Sequence, residues 1–415
     1  MANDQRGRCE SARHDSVLPL EVRMTARQGS GAQPSFTIHA IFPNFYDGTR
    51  VSYSFKAIVE SMRASGISVA AYVLGCANES REDHVHPLLP MRLYALTSKL
   101  IRYPCEFMVR RFAHRFRPGD VAYLWLTNPP AISRFLQRRG LLVVREMINC
   151  TVQRRREEMT NAYGLLGWGR DVGITDEEVD RERRELLSAD AVFCPNEGVF
   201  ESVHASGVAL ERCLRSSYGW SALRLQGTGS FLDRSAEVSF LFVGTADVRK
   251  GFPWVLQAWA GAGIAGRLLI AGAIDPQIKR EFAAILSRSD VVTLGHVADI
   301  GAVYRSADVF CFPSWEEGGP MVTIEAMGMG LPCIVTPMGS AGILSATSGG
   351  AIIVPPGDVE AIAAAMRRLA ADRSLRQRLG RESRAIAARY TWDDVGRQRG
   401  VAIQDLRARR LFRDG

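Results

Sequence analysis

The sequence repeats one arrangement, a short apolar run followed by a loop and a helical stretch, in two separate series. The first series opens at residues 36–42 and continues to about residue 204, and the second extends from residues 238–243 to residues 351–354. Short apolar runs that alternate with helical stretches are typical of parallel strands joined by crossover helices. The sequence therefore predicts an α/β fold with two doubly wound parallel sheets.

A seam between about residue 215 and residue 237 separates the two series. It contains three glycines, as is typical of a linker between domains. The predicted organisation is a disordered segment at residues 1–34, an N-terminal domain at 35–222, a C-terminal domain at 236–392 and a terminal helix at 393–415. Two such domains place the carboxyl ends of their sheets at a common cleft, where α/β folds bind ligands.

The composition is that of a globular protein. Hydrophobic residues make up 47% of the chain and charged residues 23%, which excludes a mainly disordered protein. No apolar run reaches the length of about 18 residues that a membrane-spanning helix needs. Lys and Arg number 52 against 44 Asp and Glu, and the net charge of +8 weakly favours an acidic partner. Because no nucleic-acid-binding motif accompanies these cations, we expect no nucleic-acid partner.

The eight cysteines follow no metal-binding or disulfide pattern. None belongs to a Cys-x-x-Cys pair, and none lies beside a histidine at zinc-finger spacing. We therefore expect reduced, mostly buried thiols in a cytoplasmic protein, and no metal site.

The loop of residues 244–251 joins an apolar run to a helical stretch. Gly244 lets a ligand approach the backbone, and Arg249 and Lys250 supply cations close to a helix N-terminus. This combination favours a phosphate or diphosphate ligand. An ordinary βα turn with surface cations has the same pattern, so this loop alone leaves both interpretations open.

The loop of residues 311–320 carries a stronger signal. Two glycines open its backbone to a ligand, and Pro320 stands where the first residue of a helix is expected. Glu317 precedes that helix, and Glu325 lies more than one turn inside it among apolar neighbours, where an unpaired acid is costly. Two carboxylates at one cleft can each bind a pair of hydroxyls of a polyol. By spacing alone, a helix-start acid and an exposed Glu325 explain the pattern equally well.

Together these motifs resemble a known family. Glu317 and Glu325, with seven residues between them, resemble the Glu-x7-Glu signature of retaining glycosyltransferases of the family 4 (glycosyl transferases group 1) type. Gly244 followed by Lys250 resembles the diphosphate loop of that family. The resemblance is close over residues 185–395 and rests on topology alone before them.

The resemblance implies a GT-B fold, in which two Rossmann-like domains face an interdomain cleft and the terminal helix returns to the first domain. It implies transfer of a sugar, with retention of configuration, from a nucleotide-diphosphate sugar to a glycan, lipid-linked or small-molecule acceptor. Fixed cations and a helix N-terminus would stabilise the leaving diphosphate. The implied reaction needs no metal and no further cofactor.

The resemblance also implies roles for individual residues. The catalytic residues would be Glu317, which binds the hydroxyls of the transferred sugar, and Lys250, which binds the diphosphate. Glu325 would bind the ribose, and the loop at His296 and Val297 would border the base. The implied donor-binding set is Gly244, Thr245, Arg249, Lys250, His296, Val297, Glu317, Gly318, Gly319, Pro320, Met321 and Glu325.

The chain departs from the family pattern at three places. Thr245 stands where the family usually has an arginine, and Arg249 is the candidate replacement. Pro320 has no N–H to donate to the sugar phosphate. The N-terminal domain lacks a clear catalytic His or Asp after residues 141–145. The candidates for the acceptor side are Asp47, Gly48, Glu146 and Asn149.

Two other functions are consistent with this fold. A nucleotide-sugar 2-epimerase would act without an acceptor, and the Glu-x7-Glu pattern argues against it. A nucleotide-sugar-binding protein without turnover is favoured only by the departures at Thr245 and Pro320. An oxidoreductase is disfavoured because neither first βα loop carries Gly-x-Gly-x-x-Gly.

Residues 98–117 are basic and aromatic at near-helical spacing. Such a stretch is consistent with peripheral contact with an anionic membrane, here the inner membrane face. It is also consistent with an ordinary amphipathic helix whose cations lie in water, which is the interpretation we favour. The basic tail at residues 407–413 has the same two interpretations.

Overall fold

The residues described by the computed structural model are 36–77, 82–90, 93–94, 104–169, 171–231, 237–340, 342–344 and 349–414. The disorder expected at residues 1–34 and the first part of the basic stretch, 98–103, lie outside them. The side chains of residues 411–413 in the basic tail also lie outside the description.

The N-terminal domain is built on a parallel sheet that has seven strands within the described residues. These strands are β1 (Ile38–Tyr46), β2 (Val69–Cys76), β3 (Val85–Pro87), β4 (Val121–Leu124), β5 (Leu142–Glu146), β6 (Ala191–Cys194) and β7 (Cys213–Arg215). Their order across the sheet is β3-β2-β1-β4-β5-β6-β7. The helices of this part of the chain are α1 (Arg50–Ala64), α2 (Pro104–Phe112), α3 (Pro130–Arg138), α4 (Val152–Leu165), α5 (Asp176–Ser188) and α6 (Glu197–Ala205).

The C-terminal domain has a second parallel sheet, with six strands in the described part of the chain. They are β8 (Val238–Val243), β9 (Gly266–Ala271), β10 (Val291–Gly295), β11 (Val309–Phe312), β12 (Cys333–Val335) and β13 (Ala351–Ile353), in the order β10-β9-β8-β11-β12-β13. The helices are α7 (Phe252–Ala262), α8 (Pro276–Glu281), α9 (Ala283–Leu286), α10 (Ile300–Arg305), α11 (Met321–Gly328), α12 (Val359–Ala371) and α13 (Arg373–Ala387). The final helix, α14 (Trp392–Asp414), follows them.

The predicted α/β class with two parallel sheets is confirmed. The central strands β8 and β11 are buried along their whole length, which explains why their sequences are almost entirely apolar. Strands β3 and β7 were not predicted, because each has three residues at a sheet edge and carries no clear period. Helices α8 and α9 follow each other directly and are separated at Phe282.

The start of α11 corrects one prediction. Pro320 is the N-cap residue, with ψ of 90° in extended backbone, and the helix begins at Met321. From the sequence, Pro320 was expected to be the first residue of the helix. The residue without an N–H is therefore the N-cap, and the first turn begins after it.

The chain crosses between the two domains twice, and the two crossings are joined by backbone hydrogen bonds. The Trp220 N–H donates to the Tyr390 carbonyl at 3.1 Å, and the Trp392 N–H donates to the Trp220 carbonyl at 3.2 Å. The approach is close, since a Cβ atom at Gly219 would lie 2.8 Å from the Trp392 nitrogen. The crossings therefore form one connection and not two independent linkers.

Helix α14 packs against α1 of the N-terminal domain. A Cβ atom at Gly396 would lie 2.2 Å from the Ser61 Cβ, and one at Gly400 would lie 2.1 Å from the Ile67 Cδ1. Taken from the sequence alone, these two glycines would only weaken the helix. In the structure, Gly396 and Gly400 are positions at which α14 lies in close contact with α1 and with the residues that follow it.

The described part of the basic stretch begins with helix α2, an amphipathic helix. Its apolar residues Cys105, Met108, Val109 and Phe112 are buried. Phe107 is its exposed aromatic residue, with 56% of its surface accessible. Membrane contact by this stretch stays a prediction.

Three further observations apply to the described residues. No helix among them is both long enough and apolar enough to span a membrane. Their seven cysteines are buried and form no disulfide with one another, and Cys9 lies outside the description. No group of three or more His, Cys, Asp or Glu side chains among them is arranged to hold a metal ion.

Candidate active site

Two loops of the C-terminal domain lie side by side because the strands that lead into them are neighbours. Strands β8 and β11 pair directly in the sheet, so the loops that follow them, residues 244–251 and 313–320, leave the same edge. The Trp315 N–H donates to the Arg249 carbonyl at 2.9 Å. Gly251 has φ of +72°, and a Cβ atom there would lie 2.0 Å from the Pro313 oxygen. Only glycine allows this turn and this approach together.

The two loops bring two cations to one carboxylate. Glu317 Oε1 lies 3.3 Å from Arg249 Nη1 and 3.4 Å from Lys250 Nζ. The Glu317 residue is 7% exposed, and its Oε1 accepts no hydrogen bond of good geometry from any described residue. At this oxygen the carboxylate is therefore held by charge alone.

Lys250 is fixed near the end of its loop. Its N–H donates to Asp247 Oδ1 at 2.9 Å, and its Nζ lies 5.2 Å from the centre of the Phe312 ring. A Cβ atom at Gly244 would lie 3.2 Å from Nζ, so glycine leaves the space that the ammonium group occupies. Burial raises the pKa of Asp247 above its usual value, although Arg249 partly offsets the effect. The residue at the position of the family's arginine, Thr245, is exposed.

The second loop also contacts the N-terminal domain. A Cβ atom at Gly318 would lie 1.8 Å from the Ile148 oxygen, and the Asn196 side-chain amide donates to the Glu317 carbonyl at 3.0 Å. At Gly319 a Cβ atom would lie 2.7 Å from the Tyr218 ring. The two glycines were expected to open the backbone to a ligand, and here they admit the facing domain.

Glu325 has partners of its own. Its Oε1 lies 3.3 Å from Arg224 Nη1, and its Oε2 accepts a hydrogen bond from Tyr304 Oη at 3.1 Å. Burial raises the pKa of Glu325, and both Arg224 and Tyr304 act in the opposite direction. Of the two interpretations that the spacing left open, an exposed Glu325 is wrong, because the residue is 3% exposed.

The loop of His296 and Val297, which was expected to border the base, follows β10, the second strand from β8 in the sheet. His296 is exposed and Val297 is half-buried at the end of β10. Helix α10, which follows this loop, begins with Asp299 as its N-cap, and its Tyr304 is the residue that binds Glu325. The proposed base-side loop and the proposed ribose-binding acid are therefore linked through one short helix.

The four acceptor-side candidates have different environments. Asp47 is exposed and Gly48 adopts φ of +73° at the end of β1. Asn149 is half-buried, and its backbone nitrogen would lie 2.8 Å from a Cβ atom at Gly318. Glu146, by contrast, is 1% exposed and forms an ion pair with Arg399. Burial raises the pKa of Glu146, and Arg399 opposes this. Glu146 therefore faces the inside of the domain.

One buried residue at this site received no role from the sequence. Glu316 stands beside Glu317 and is 0% exposed, which is unusual for a carboxylate. No pattern in the sequence indicates its burial, because its hydrogen-bond partner lies in the other domain.

The part of this site that lies in the C-terminal domain matches a known protein family. Residues 237–372 match the family model described as glycosyl transferases group 1, which includes both loops and Glu325. The matched range includes Lys250, Glu317 and the six-stranded sheet, whereas residues 36–231 lie outside it.

Several curated proteins are similar to the chain over part of their length. A phosphatidyl-myo-inositol mannosyltransferase of Mycobacterium leprae is 33% identical over 221 residues, which are 52% of this chain and 54% of that protein. The capsular polysaccharide biosynthesis glycosyltransferase CapM of Staphylococcus aureus is 29% identical over 165 residues, 37% of this chain and 43% of CapM. The chain thus spans about half or less of these relatives.

Solved structures share the fold over nearly the whole chain. Sucrose-phosphate synthase from Thermosynechococcus elongatus superposes with a TM-score of 0.68 at 20% identity, over 90% of this chain and 99% of that one. Anabaena Alr3699/HepE in complex with UDP and glucose gives 0.64 at 14% identity, over 89% and 100%. The predicted GT-B fold is confirmed by these neighbours and by the two parallel sheets.

Proposed function

We propose that the chain is a glycosyltransferase that moves a sugar from a nucleotide-diphosphate sugar to a glycan, lipid-linked or small-molecule acceptor. The observation that carries this proposal is the cluster of Lys250, Arg249 and Glu317 where β8 and β11 end, against a loop of the other domain. Cations of this kind suit a diphosphate, and a buried carboxylate beside them suits the hydroxyls of a sugar.

The comparisons support the same class of donor and acceptor. The CapM relative is named for capsular polysaccharide biosynthesis, and the M. leprae relative is named as a mannosyltransferase. The Anabaena protein was solved with UDP and glucose. We extend these properties to this chain because the range that matches the group 1 model holds the residues that would meet the donor.

In the proposed reaction, negative charge develops on the diphosphate as the bond to the anomeric carbon breaks. Lys250 and Arg249 would stabilise that charge, and Glu317 would hold the sugar hydroxyls beside it. The two cations lie within reach of a common ligand before it binds, so little reorganisation is needed during the reaction. We propose retention of anomeric configuration and no need for a metal ion.

The proposal is tested by incubating the purified protein with a panel of nucleotide-diphosphate sugars, with and without saccharide and polyprenyl-phosphate-linked acceptors. Release or transfer of the sugar is measured, the anomeric configuration of the product is determined by NMR, and the assay is repeated with EDTA. We expect turnover of at least one donor, a retained configuration and no loss with EDTA. Interconversion of donors without an acceptor would instead indicate an epimerase.

Two variants connect the activity to the cluster. Lys250→Ala and Glu317→Ala should each lower turnover by at least about 100-fold, the scale for loss of one preorganised electrostatic group. Lys279→Ala removes an exposed cation of α8 and serves as the matched control, with wild-type turnover expected. Near-normal turnover in both cluster variants would overturn the assignment.

A further inference from the structure

Glu316 makes a contact between the two domains. Its Oε1 accepts a hydrogen bond from the Cys150 N–H at 2.9 Å, and its Oε2 lies 3.3 Å from Arg249 Nη1. Cys150 belongs to the loop after β5 in the N-terminal domain, whereas Arg249 belongs to the loop after β8 in the C-terminal domain. A single carboxylate therefore binds both walls of the cleft.

The burial of Glu316 makes both of its partners necessary. The residue is 0% exposed, so no water replaces a partner that is lost while the domains are together. A buried carboxylate is costly unless its oxygens are matched by donors or cations. Separation of the domains would remove the Cys150 N–H from Oε1. Both oxygens of this carboxylate therefore have a partner only while the two loops are in contact.

Arg249 depends on Glu316 for its orientation. Its Nη1 donates to the Glu316 carbonyl at 2.8 Å and lies 3.3 Å from the Glu316 and Glu317 carboxylates. With Glu316 neutral, Glu317 would be the carboxylate that stays within ion-pair distance of Arg249 among the described residues. The guanidinium would then keep Glu317 and the main-chain carbonyl at position 316, but it would lose one of its two anions.

We propose that Glu316 is a positioning residue that couples contact between the two domains to the placement of Arg249 at the donor diphosphate. The diphosphate part of this inference rests on the proposed function. The interdomain part does not, since it follows from the Cys150 contact alone. Relative motion is the default expectation for two domains of one chain, and Glu316 would act against it.

Two variants separate the two parts of the inference. Glu316→Gln keeps the shape and an oxygen that can accept the Cys150 N–H, but presents a neutral group to Arg249. Glu316→Ala removes both interactions. We expect the Gln variant to keep the wild-type radius of gyration in small-angle X-ray scattering and the Ala variant to show a larger one. This measurement needs no activity, so it stays informative even if the proposed transferase function fails.

The kinetic measurement tests the Arg249 part with a donor that the wild-type protein turns over. We expect Glu316→Gln to lower kcat/KM about tenfold. The double variant Glu316→Gln with Arg249→Met should lower kcat/KM by less than the product of the two single effects, as for two residues in contact. If Glu316 had only a structural role, its substitution would lower the melting temperature, and its effect on kcat/KM would be independent of the effect of Arg249→Met. An unchanged radius of gyration in Glu316→Ala overturns the interdomain part. Wild-type kcat/KM in Glu316→Gln, or multiplicative effects in the double variant, overturns the Arg249 part.

Discussion

Arg399 in the terminal helix α14 and Glu146 at the end of β5 form an ion pair inside the N-terminal domain, 253 residues apart in sequence. Arg399 Nη2 lies 2.8 Å from Glu146 Oε1, and the two residues are 1% exposed each. Arg399 Nη1 also donates to the Ser217 carbonyl at 2.7 Å, and Tyr123 Oη donates to Glu146. One guanidinium thus joins the last helix, the first interdomain crossing and the strand that leads into the 147–151 loop.

Replacing Arg399 with methionine should strongly destabilise the fold. Removal of one partner leaves the Glu146 charge buried without a cation, which costs about 3–5 kcal/mol in the free energy of unfolding. Urea denaturation followed by circular dichroism measures this loss. Arg409→Met is the matched control on the exposed side of α14, and it should change stability by less than about 0.5 kcal/mol. Equal effects of the two substitutions would contradict the role of the pair.

Gly396 and Gly400 were interpreted from the sequence as weak points of a helix, and the structure changes the expected sign of a substitution. Alanine at an exposed helical glycine stabilises by up to about 1 kcal/mol through helix propensity. At Gly396 the added Cβ would meet the Ser61 Cβ at 2.2 Å and the Met62 nitrogen at 3.0 Å. Overpacking of this kind costs about 1–3 kcal/mol, so Gly396→Ala should destabilise the protein.

Gly164 in α4 provides the matched control for that prediction. Among the described residues, no atom beyond its chain neighbours and its own helix backbone lies within 4 Å of a Cβ atom there, so Gly164→Ala should raise the melting temperature slightly. Differential scanning calorimetry of the two variants compares the signs directly. A stabilising effect at both positions would mean that α14 and α1 do not pack as closely as described.

The local features of the fold were predictable because they depend on residues that are close in sequence. Buried parallel strands such as β8 and β11 are continuous apolar runs, and the loops after them carry Lys250 and Glu317 in a recognisable spacing. The fold class and the composition of the donor-side loops follow from such patterns.

The remaining features depend on partners that are distant in sequence. Glu146 was expected on the acceptor side because it ends a strand, and only its partner on α14 shows that it faces the interior. The burial of Glu316 has the same cause, since the partner of its Oε1 is 166 residues away. A pattern within one loop contains no information on which domain or helix will pack against it.

Asp120 should give the stability of the protein a specific dependence on pH. Its carboxylate accepts hydrogen bonds from the Thr37 N–H at 2.9 Å, the Arg117 N–H at 2.9 Å and the buried His39 ring at 3.0 Å. Burial alone would raise the pKa of Asp120, but these hydrogen bonds outweigh burial and hold the pKa below its usual value. A lowered pKa in the folded state stabilises the protein above the pKa of the unfolded chain, about 3.9.

The stabilisation by Asp120 should therefore be complete at pH 7 and disappear as the pH falls below about 4. Asp120→Asn should be less stable than the wild type at pH 7, and the difference should shrink at low pH. Urea titrations of both proteins from pH 7 to pH 3 measure this. A difference that stays constant over this range would indicate a packing effect and not the titration of Asp120.

Arg224 controls the charge of Glu325 from the crossing segment. Its Nη1 lies 3.3 Å from Glu325 Oε1, and its guanidinium stacks over the Tyr53 ring of α1 with the Cζ 4.5 Å from the ring centre. Burial raises the pKa of Glu325, and Arg224 is the cation that lowers it. Without Arg224, the pKa of Glu325 would rise further, and a larger fraction would be protonated at neutral pH.

A protonated Glu325 accepts fewer hydrogen bonds, so if this acid binds the ribose, Arg224→Ala should weaken donor binding. We expect the donor KM to rise about tenfold at pH 7 with a smaller change in kcat, as for an interaction made equally in the ground and transition states. Raising the pH should return the KM of the variant toward the wild-type value, because Glu325 then ionises again. Arg288→Ala removes a half-exposed cation that pairs with Asp290 in the same domain, and its KM should match the wild type at each pH. The prediction is wrong if the ratio of the Arg224→Ala and wild-type KM values does not change between pH 6 and pH 9.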